Sequence, residues 1–484
     1  MDRDQILSAS GSALARAIRE RRVTSKVVVD AHVTRAKSVN PALNAIIRDR
    51  YDAALREASL ADERTGDLHA DDLPPLHGVP CTIKEAFAFE GMPNSSGLWA
   101  RRDVVASKDA TVVERLRSAG AIPLGVTNTS ELCMWFESSN KVWGRTNNPY
   151  DRARTAGGSS GGEGAIVGAG ASPIGLGSDV GGSIRMPAFF NGVFGHKPTG
   201  GIVPSTGNHP PARNDVERFV TCGPLVRRAE DLMAVLRIIA GPDGVEQRCV
   251  ASALGDPAAV DLRKLTVYSV EKGPGSVEPV LLAAQRRVAE ALQARGMKVE
   301  RKAIPGLARS FEIWSAMMDE GRGSESSFRD LMAAGGPFHP WRELARMPFG
   351  RSRYTLPGVL LALFEEVPAR LPSRLQRIVA LGHELSAELA KLLGDDAVLL
   401  YPSFPRLAPR HGTPLLAPFQ FAYTGIFNVM QMPSTQVPLG LDPRGLPLGV
   451  QIAGPRHGDH LTIAVALALE KDFGGWRPPP ATRG

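Results

Sequence analysis

The stretch from residue 156 to residue 192 restricts the fold of this chain more than any other. It reads AGGSSGGEGAIVGAGASPIGLGSDVGGSIRMPAFFNG, and its charged residues are Glu163, Asp179 and Arg185. Glycine costs roughly 0.5–1 kcal/mol relative to alanine inside a regular element, so such a density does not serve stability alone. We infer that backbone segments in this region must approach one another, or a ligand, closely.

Length and composition limit the classes of function. The chain has 484 residues, and 43% of them are hydrophobic, which is ample for a buried core. The net charge of +7 is mild for this length, and the Lys and Arg residues are scattered, which argues against nucleic-acid binding. The charged first residues and the lack of a long uncharged apolar stretch predict neither a signal peptide nor a membrane span.

The cysteines point to a reducing compartment. Four of them lie far apart with no paired spacing, which argues against a zinc site: Cys81, Cys133, Cys222 and Cys249. We therefore expect a cytoplasmic protein with no metal and no cofactor. The sequence HGDH at residues 457–460 is the alternative that favours a metal.

The hydrophobic patterns predict an α/β fold in a single domain spanning residues 1–484. Residues 1–73 repeat apolar side chains at intervals of three and four, which predicts an N-terminal helical region. Residues 74–230 alternate short apolar strands with helices, and the first strand, Val79 to Ile83, ends at Lys84. Residues 260–400 predict a helical insertion, and residues 401–475 return to short strands that complete the core.

The glycine-rich stretch fails two nucleotide-binding motifs. Gly175, Gly177 and Gly181 are spaced one residue too widely for a dinucleotide fingerprint, and no Gly-Lys-Ser/Thr is present for a phosphate loop. Residues 157–161 fit G-x-S-x-G, which would make Ser159 a nucleophile. That motif requires a buried strand before it, whereas the preceding YDRARTA is polar.

A different arrangement makes Ser183 the candidate nucleophile. In Val180-Gly181-Gly182-Ser183, two consecutive glycines allow backbone N–H groups to converge on an oxyanion. A serine hydroxyl is a weak nucleophile without a base. Lys84 is one candidate base, because burial at a strand end favours the neutral amine. Histidine is the other, although the histidines nearest to motif-like stretches flank Gly or Pro turns: His77, His196, His457 and His460.

The blocks LHGVPCTIKE and GGSSGGEGAIVGAGASPIGLGSDVGGSIRMPA resemble the amidase signature family. LPPLHGVPCTIKEAFAFEGMPNSSG, TNTSELCMWFESSNKVWGRTNNPYD and FAYTGIFN are similar to one group within it, the second type of vertebrate fatty-acid amide hydrolase. The resemblance spans about residues 20–475 and implies a central mixed, twisted β-sheet flanked by helices on both faces. This chain lacks the apolar N-terminal segment of those animal enzymes, so no stable membrane anchor is expected.

The resemblance also implies roles for individual residues. It makes Ser183 the nucleophile, Ser159 the bridging serine after a cis Gly158–Ser159 peptide bond, and Lys84 the base. The backbone N–H groups of the oxyanion hole then come from Val180, Gly181, Gly182 and Ser183. Three side chains are candidates for fixing the two serines, although Arg185 also fits a purely structural ion pair: Ser160, Asp179 and Arg185.

A run of apolar residues is the candidate acyl-binding segment. Leu132 to Phe136 is either a buried core segment or, as the resemblance implies, a wall of the acyl channel formed by Cys133, Met134, Trp135 and Phe136. The stretches 311–320 and 346–366 add Met and aromatic side chains suited to an adaptable tunnel. Arginines in the second stretch fit either a solvated face or peripheral contact with anionic lipid.

Together these features predict a serine hydrolase that cleaves amides of apolar or fatty acids through an acyl-enzyme. The alternatives are a short-chain or aryl-acyl amidase and, from another class, the transamidating subunit of a tRNA-dependent amidotransferase. A non-catalytic binding protein on the same fold is a third alternative. A homodimer is compatible with the sequence, which gives no oligomeric state.

Overall fold

A mixed sheet of eleven strands forms the centre of the molecule in the computed structural model, which describes residues 1–323, 327–365 and 372–480. Strands are numbered in chain order, and their order across the sheet is β1 (Ile46–Asp49), β3 (Ile122–Thr127), β2 (Pro80–Lys84), β6 (Ile174–Asp179), β8 (Thr221–Val226), β7 (Phe194–Lys197), β12 (Ser434–Leu441), β13 (Pro447–Ala453), β11 (Ala397–Tyr401), β9 (Thr266–Ser269) and β10 (Lys298–Arg301). A separate hairpin pairs β4 (Ser139–Asn140) with β5 (Gly144–Arg145).

The sheet is parallel near both ends and antiparallel in its middle. Strands β3, β2 and β6 run parallel, as do β11, β9 and β10. The pairs from β6 through β8, β7, β12 and β13 to β11 are all antiparallel, and β1 pairs antiparallel with β3 at one edge. Every residue of β2, β6, β8 and β13 is buried, which is the pattern of strands covered on both faces.

Helices cover the sheet. The helices of the described residues are α1 (Arg3–Ser8), α2 (Gly11–Arg19), α3 (Ser25–Leu43), α4 (Tyr51–Asp67), α5 (Thr111–Ser118), α6 (Gly161–Gly168), α7 (Arg185–Phe190), α8 (Val216–Phe219), α9 (Glu230–Ile239), α10 (Pro279–Ala294), α11 (Ser310–Arg322), α12 (Phe328–Ala333), α13 (Pro340–Arg346), α14 (Leu356–Phe364), α15 (Pro372–Leu393), α16 (Ala422–Val429) and α17 (Asp459–Phe473). One large apolar cluster joins α2, α9 and α17 to the sheet, and a second joins α3, α4 and α6 to it. Across the described ranges, no helix combines the length and the hydropathy needed to cross a bilayer.

The α/β fold with a central mixed sheet is confirmed, and so is the predicted first strand of the core. The sequence places that strand at residues 79–83, and the structure forms β2 over Pro80–Lys84. β2 ends at Lys84, and β2 runs parallel to its neighbours β3 and β6. Lys84 therefore lies at the carboxyl end of these three strands. Catalytic and binding groups of parallel sheets commonly lie at this carboxyl end of the strands.

The helical insertion is narrower than predicted. Strands β9 and β10, within residues 260–301, and β11 pair at one edge of the main sheet. The helical segment of the described residues after β10 therefore consists of α11 to α15, within residues 310–323, 327–365 and 372–393. Periodicity alone does not distinguish a strand of four or five residues from a piece of buried helix, which explains the difference. Helices α12 and α14 and the chain before α13 build a small apolar cluster on Leu132, and half-buried Met134 packs against it.

Candidate active site

Lys84 and Ser159 meet in a buried site at the end of β2. The Lys84 side chain is fully buried, and its Nζ lies 2.7 Å from Ser159 Oγ and 2.9 Å from Ser178 Oγ. Ser178 is on β6, the parallel neighbour of β2, and Ser159 is in the turn that leads into α6. The amine therefore contacts two hydroxyls that lie 75 and 94 positions away in the sequence.

The turn that carries Ser159 contacts the candidate acyl-binding segment directly. The Gly158–Ser159 peptide bond is cis, as the resemblance implies. A Cβ on Gly158 would lie 2.6 Å from the carbonyl oxygen of Trp135 and 2.8 Å from the amide nitrogen of Glu137, so only glycine permits this approach. Ser138 Oγ also donates to the Ser159 carbonyl at 2.9 Å. The glycine density of residues 156–162 thus has a structural cause.

Ser183 lies in the loop between β6 and α7. This loop is joined to the Ser159 turn because the Ser160 N–H donates to the Ser183 carbonyl at 3.2 Å. The Ser183 side chain is buried, but within the described part of the chain its hydroxyl forms no hydrogen bond with that of Ser159. Gly182 has φ +119°, and a Cβ there would overlap the Thr424 hydroxyl, so this position also requires glycine.

A buried ion pair holds the Ser183 loop in place. Arg185 donates to both carboxylate oxygens of Asp179, at 3.1 and 3.0 Å, and both side chains are fully buried. Asp179 also accepts the N–H groups of Gly182 and Ile184. Burial by itself raises the pKa of Asp179, but Arg185 and these hydrogen bonds outweigh it and hold that pKa well below its usual range. The Asp179–Arg185 ion pair therefore holds the loop that carries Ser183 in a fixed conformation.

The backbone donors of that loop differ from one another. The Gly182 N–H donates to Asp179 Oδ1 at 2.7 Å and is therefore engaged. The N–H groups of Val180, Gly181 and Ser183 donate to no acceptor among the described residues. Three of the four expected donors can thus point to a ligand in this structure, whereas Gly182 shapes the turn.

The segment 132–136 lies beside the Ser159 turn, and the ring of Phe421 stands between it and Gly181 of the Ser183 loop. Leu132 and Cys133 both have positive φ, at +51° and +59°, so the chain turns sharply before Met134. Trp135 and Phe136 form an aromatic pair with ring centroids 4.6 Å apart, and Phe136 lies 6.4 Å from the ring of Phe421. Leu132 and Phe136 are buried in apolar clusters, as a core segment would be. Cys133, Met134 and Trp135 are half-buried, which is compatible with a channel wall.

The helical segment reaches the site through α11. The indole N–H of Trp314 donates to the Val180 carbonyl at 2.9 Å, and the Trp314 ring meets Phe421 edge-on at 4.8 Å. Phe311, one turn earlier, contacts Phe419 with ring centroids 4.2 Å apart. The second predicted stretch contains α14, whose Ala362 joins the apolar cluster of Leu132, and Thr355 before it donates to Glu131 at 2.7 Å. Glu366 is outside the described residues.

Several groups of the site escaped the sequence analysis. The contact of Ser178 with Lys84 could have been predicted by pairing the two apolar strands in parallel, because Ser178 follows the β6 residues that pair with β2. Trp314 lies in the stretch 311–320 that the sequence marks for its aromatic side chains, but nothing in that pattern predicts its hydrogen bond to Val180. Asn428 of α16 donates to Asp179 and accepts from Arg185, which explains why the block FAYTGIFN belongs with the serine motifs.

The HGDH sequence holds no metal ligand set. Asp459 instead accepts hydrogen bonds from the Thr199 hydroxyl at 2.6 Å and from His196 at 3.1 Å. His457 Nδ1 pairs with the Ser252 hydroxyl. Within the described ranges, no group of three or more His, Cys, Asp or Glu side chains could hold a metal ion.

Comparison with known proteins places this site in a family. The amidase family model matches residues 27–463. The chain is 50% identical over 492 aligned residues to fatty-acid amide hydrolase 2-A of Danio rerio, which covers 99% of this chain and 91% of that protein. It is 46% identical to fatty-acid amide hydrolase 2 of Homo sapiens, again over 492 aligned residues, with 98% and 91% covered.

A solved structure gives the same assignment. The structure of 6-aminohexanoate cyclic dimer hydrolase complexed with substrate has a TM-score of 0.81 to this one at 26% identity, and the match covers 98% of this chain and 99% of that one. The fold and its relatives define an enzyme that hydrolyses amide bonds. The chain belongs to the amidase family.

Proposed function

We propose that this chain hydrolyses amides of apolar acids through an acyl-enzyme on Ser183. The observation that carries the mechanism is the buried contact of Lys84 Nζ with Ser159 Oγ at 2.7 Å. Lys84 Nζ donates to Ser178 Oγ and lies within hydrogen-bond distance of the Ser159 hydroxyl, so its amine is placed to take the Ser159 proton during the reaction. Ser159 is thereby prepared to take a proton from Ser183.

The chemistry proceeds in two steps. Lys84 takes the proton of Ser159, Ser159 takes that of Ser183, and Ser183 Oγ attacks the amide carbonyl. Ser159 returns a proton to the departing amine as the acyl-enzyme forms, and water then hydrolyses the ester. The link between the two serine hydroxyls closes when substrate binds, because catalytic hydrogen bonds often tighten only in the Michaelis complex.

Three backbone groups stabilise the tetrahedral oxyanion in this proposal. The N–H groups of Val180, Gly181 and Ser183 are free to converge on it, while that of Gly182 remains bound to Asp179. Removing one such donor typically costs about 3–4 kcal/mol of transition-state stabilisation. The Asp179–Arg185 pair contributes by keeping these donors in position.

An apolar acyl group is the substrate feature that the surroundings favour. The half-buried Trp135 lies against the Ser159 turn, and the rings of Phe421 and Phe311 continue the apolar surface past Gly181. The half-buried Met134 packs against the apolar cluster of Leu132. Two relatives at 50% and 46% identity bear the name fatty-acid amide hydrolase 2. Each buried methylene contributes roughly 0.8 kcal/mol, so catalytic efficiency rises with acyl length until the channel is filled.

A series of primary amides with acyl chains of 2 to about 18 carbons tests the substrate class. We expect kcat/KM to rise across the series up to medium or long chains. Efficiency that is flat or falls beyond the shortest members contradicts the proposal and identifies a short-chain amidase. A maximum at aromatic amides instead identifies an aryl-acyl amidase.

Variants of the candidate channel sharpen the same experiment. Met134→Glu and Trp135→Glu should each remove the preference for long acyl groups while retaining hydrolysis of short amides. Val142→Glu is a matched control, because it adds the same charge to a half-buried position in the adjacent β4–β5 hairpin. The control should retain the preference.

Peripheral contact with anionic lipid is a further part of the proposal. Trp341, Phe349 and Phe364 are 73%, 75% and 64% exposed on the outer helices, and Arg351 and Arg353 lie nearby in sequence. Exposed apolar and basic side chains that alternate within one stretch of sequence suit the interface of a membrane. Sedimentation with phosphatidylserine vesicles should therefore exceed that with phosphatidylcholine vesicles, and Phe349→Ser should weaken it; equal sedimentation would contradict the contact.

A further inference from the structure

Glu131 is a buried carboxyl that the proposed mechanism leaves unused. It immediately precedes the candidate acyl-binding segment, and only 3% of its surface is exposed. Its Oε2 accepts two hydrogen bonds from Thr355, one from the hydroxyl at 2.7 Å and one from the backbone N–H at 3.0 Å. These bonds join two parts of the chain that lie 224 positions apart in the sequence.

Thr355 begins the last helix of an outer helical unit, which we define as α12 to α14 within residues 327–365. It is the N-cap of α14, and its Oγ1 accepts the N–H of Gly358 at 3.3 Å. The same Oγ1 donates its proton to Glu131, so one hydroxyl both caps the helix and binds the carboxyl. The Glu131 carboxyl therefore fixes the point at which α14 begins.

The first turn of α14 lies directly against this carboxyl. A Cβ on Gly358 would lie 2.5 Å from Glu131 Oε2 and 3.0 Å from Met332 Cε of α12, so glycine permits the approach. Leu132, the residue after Glu131, shares an apolar cluster with Met332 and Ala362 of the outer helical unit. Apolar packing is not directional, whereas the two hydrogen bonds of Glu131 select one placement of the helix.

Glu131 is also tied to the wall of the candidate acyl channel. It lies in a short turn closed by Ser130, whose carbonyl accepts the Cys133 N–H at 3.0 Å and whose hydroxyl accepts the Trp135 N–H at 3.2 Å. The Met134 N–H donates to the Glu131 carbonyl at 3.2 Å. A shift of Glu131 therefore moves the backbone that carries Met134 and Trp135.

We propose that Glu131 is a positioning residue for acyl specificity: through Thr355 it holds the outer helical unit against the segment 132–136, and it thereby keeps the wall of the acyl channel in the shape that accepts long apolar chains. This inference rests on the proposed preference for apolar acyl groups. In this role Glu131 contacts neither the substrate nor the serine hydroxyls, so it affects how long chains bind rather than how the amide is cleaved.

The test compares the full-length enzyme and its variants on acetamide and on decanamide, an amide with a longer acyl chain. Glu131→Met removes the acceptor but fills a similar space. We expect KM for decanamide to rise by about tenfold, with its kcat and the efficiency on acetamide within about threefold of wild type. Equal losses on both amides, or an unchanged ratio of their kcat/KM values, overturn the inference.

Glu131→Gln is the matched control. Its amide oxygen can accept from Thr355 as Oε2 does, and its NH2 group replaces Oε1, which accepts no hydrogen bond from the described residues. The variant should therefore retain the wild-type KM for decanamide. A loss as large as that in Glu131→Met would mean that the side chain does not act through Thr355, which contradicts the inference.

Thr355→Val keeps the inference testable if Glu131→Met does not melt cooperatively. It weakens the same link from the other side, because only the backbone N–H bond to Glu131 remains. It also removes the cap of α14, so Ser327→Ala, which removes the cap of α12 in the same unit, controls for that loss. Thr355→Val should raise KM for decanamide, and Ser327→Ala should not. Equal effects of the two variants contradict the inference.

The wild-type enzyme separates this inference from the proposed function. An efficiency that does not rise from acetamide to decanamide in wild type contradicts the acyl preference, and the inference with it. A wild-type preference that Glu131→Met and Thr355→Val both retain contradicts the role of Glu131 alone. If both variants lose the preference, the double variant should lose no more than Glu131→Met, because the two changes affect one link. Additive losses contradict the inference.

Discussion

At the scale of single residues, the site depends on buried polar groups that satisfy one another. Lys84 contacts Ser159 and Ser178, and the pair Asp179–Arg185 fixes the Ser183 loop. Buried polar groups without partners are costly, so removing one member also destabilises those that remain. Activity and stability are for this reason coupled at these positions, and an informative variant must be examined for both.

Lys84→Met tests the proposed base with a side chain of similar length. We expect hydrolysis to fall by about three orders of magnitude or more, because Ser159 loses its proton acceptor. The melting temperature should change by a few degrees only, since an apolar chain fills the same buried space. An activity within tenfold of wild type, measured on protein that melts cooperatively, would remove Lys84 from the mechanism.

Glu163→Gln has a predicted effect on stability, because Glu163 is fully buried beside the Thr82 and Thr127 hydroxyls and burial raises its pKa to about 8. A pKa raised in the folded state gives stability that is complete below the unfolded value, near 4.3, and that decreases until the pH passes the folded value of about 8. The wild-type protein loses this contribution as the pH rises, and the variant does not. The variant should gain relative to wild type by up to about 1.4 kcal/mol for each pH unit between these limits. Urea unfolding at pH 5 and pH 8 measures the difference, and a constant difference contradicts it.

At the scale of elements, α11 connects the helical segment to the proposed oxyanion site. Trp314 donates to the Val180 carbonyl, and in a trans peptide that carbonyl points opposite to the N–H of Gly181. The hydrogen bond therefore orients one of the three proposed oxyanion donors. Phe421, which packs against the Trp314 ring, belongs to the chain just before α16.

Trp314→Phe retains an aromatic ring but removes this donor. We expect kcat to fall by about 10-fold to 100-fold with a smaller change in KM, because the interaction matters most when the oxyanion forms. Met318→Leu, on the same helix, is the matched control and should leave both constants near wild type. A Trp314→Phe variant that changes only KM would indicate a role in substrate binding instead.

The sequence predicts elements of the core well where a short apolar strand is bounded by turn residues. β2 forms within one residue of the predicted strand at residues 79–83. The strands β9, β10 and β11 are not predicted, because their pairing depends on a sheet edge assembled from distant segments. Pairing between strands that lie far apart in the sequence produces no local hydrophobic pattern from which those strands could be predicted.

At the scale of the whole molecule, the sheet brings together three segments that lie far apart in the sequence and that belong to separate motifs. β2 supplies Lys84, β6 leads to the Ser183 loop, and α16 closes the site from the C-terminal part of the chain. The resemblance of the motifs is enough to predict the candidate triad. Contacts such as Asn428 with Asp179, or Glu163 with Thr82 and Thr127, could not be predicted, since each joins residues that only the folded sheet makes neighbours.

The most direct test of the account is to locate the acyl-enzyme. Purified protein is treated with a fluorophosphonate, digested, and analysed by mass spectrometry to identify the modified serine. The account predicts a single adduct on Ser183, complete loss of labelling in Ser183→Ala, and an unchanged melting temperature in that variant. An adduct on Ser159 or Ser160, or labelling that persists in Ser183→Ala, would contradict it.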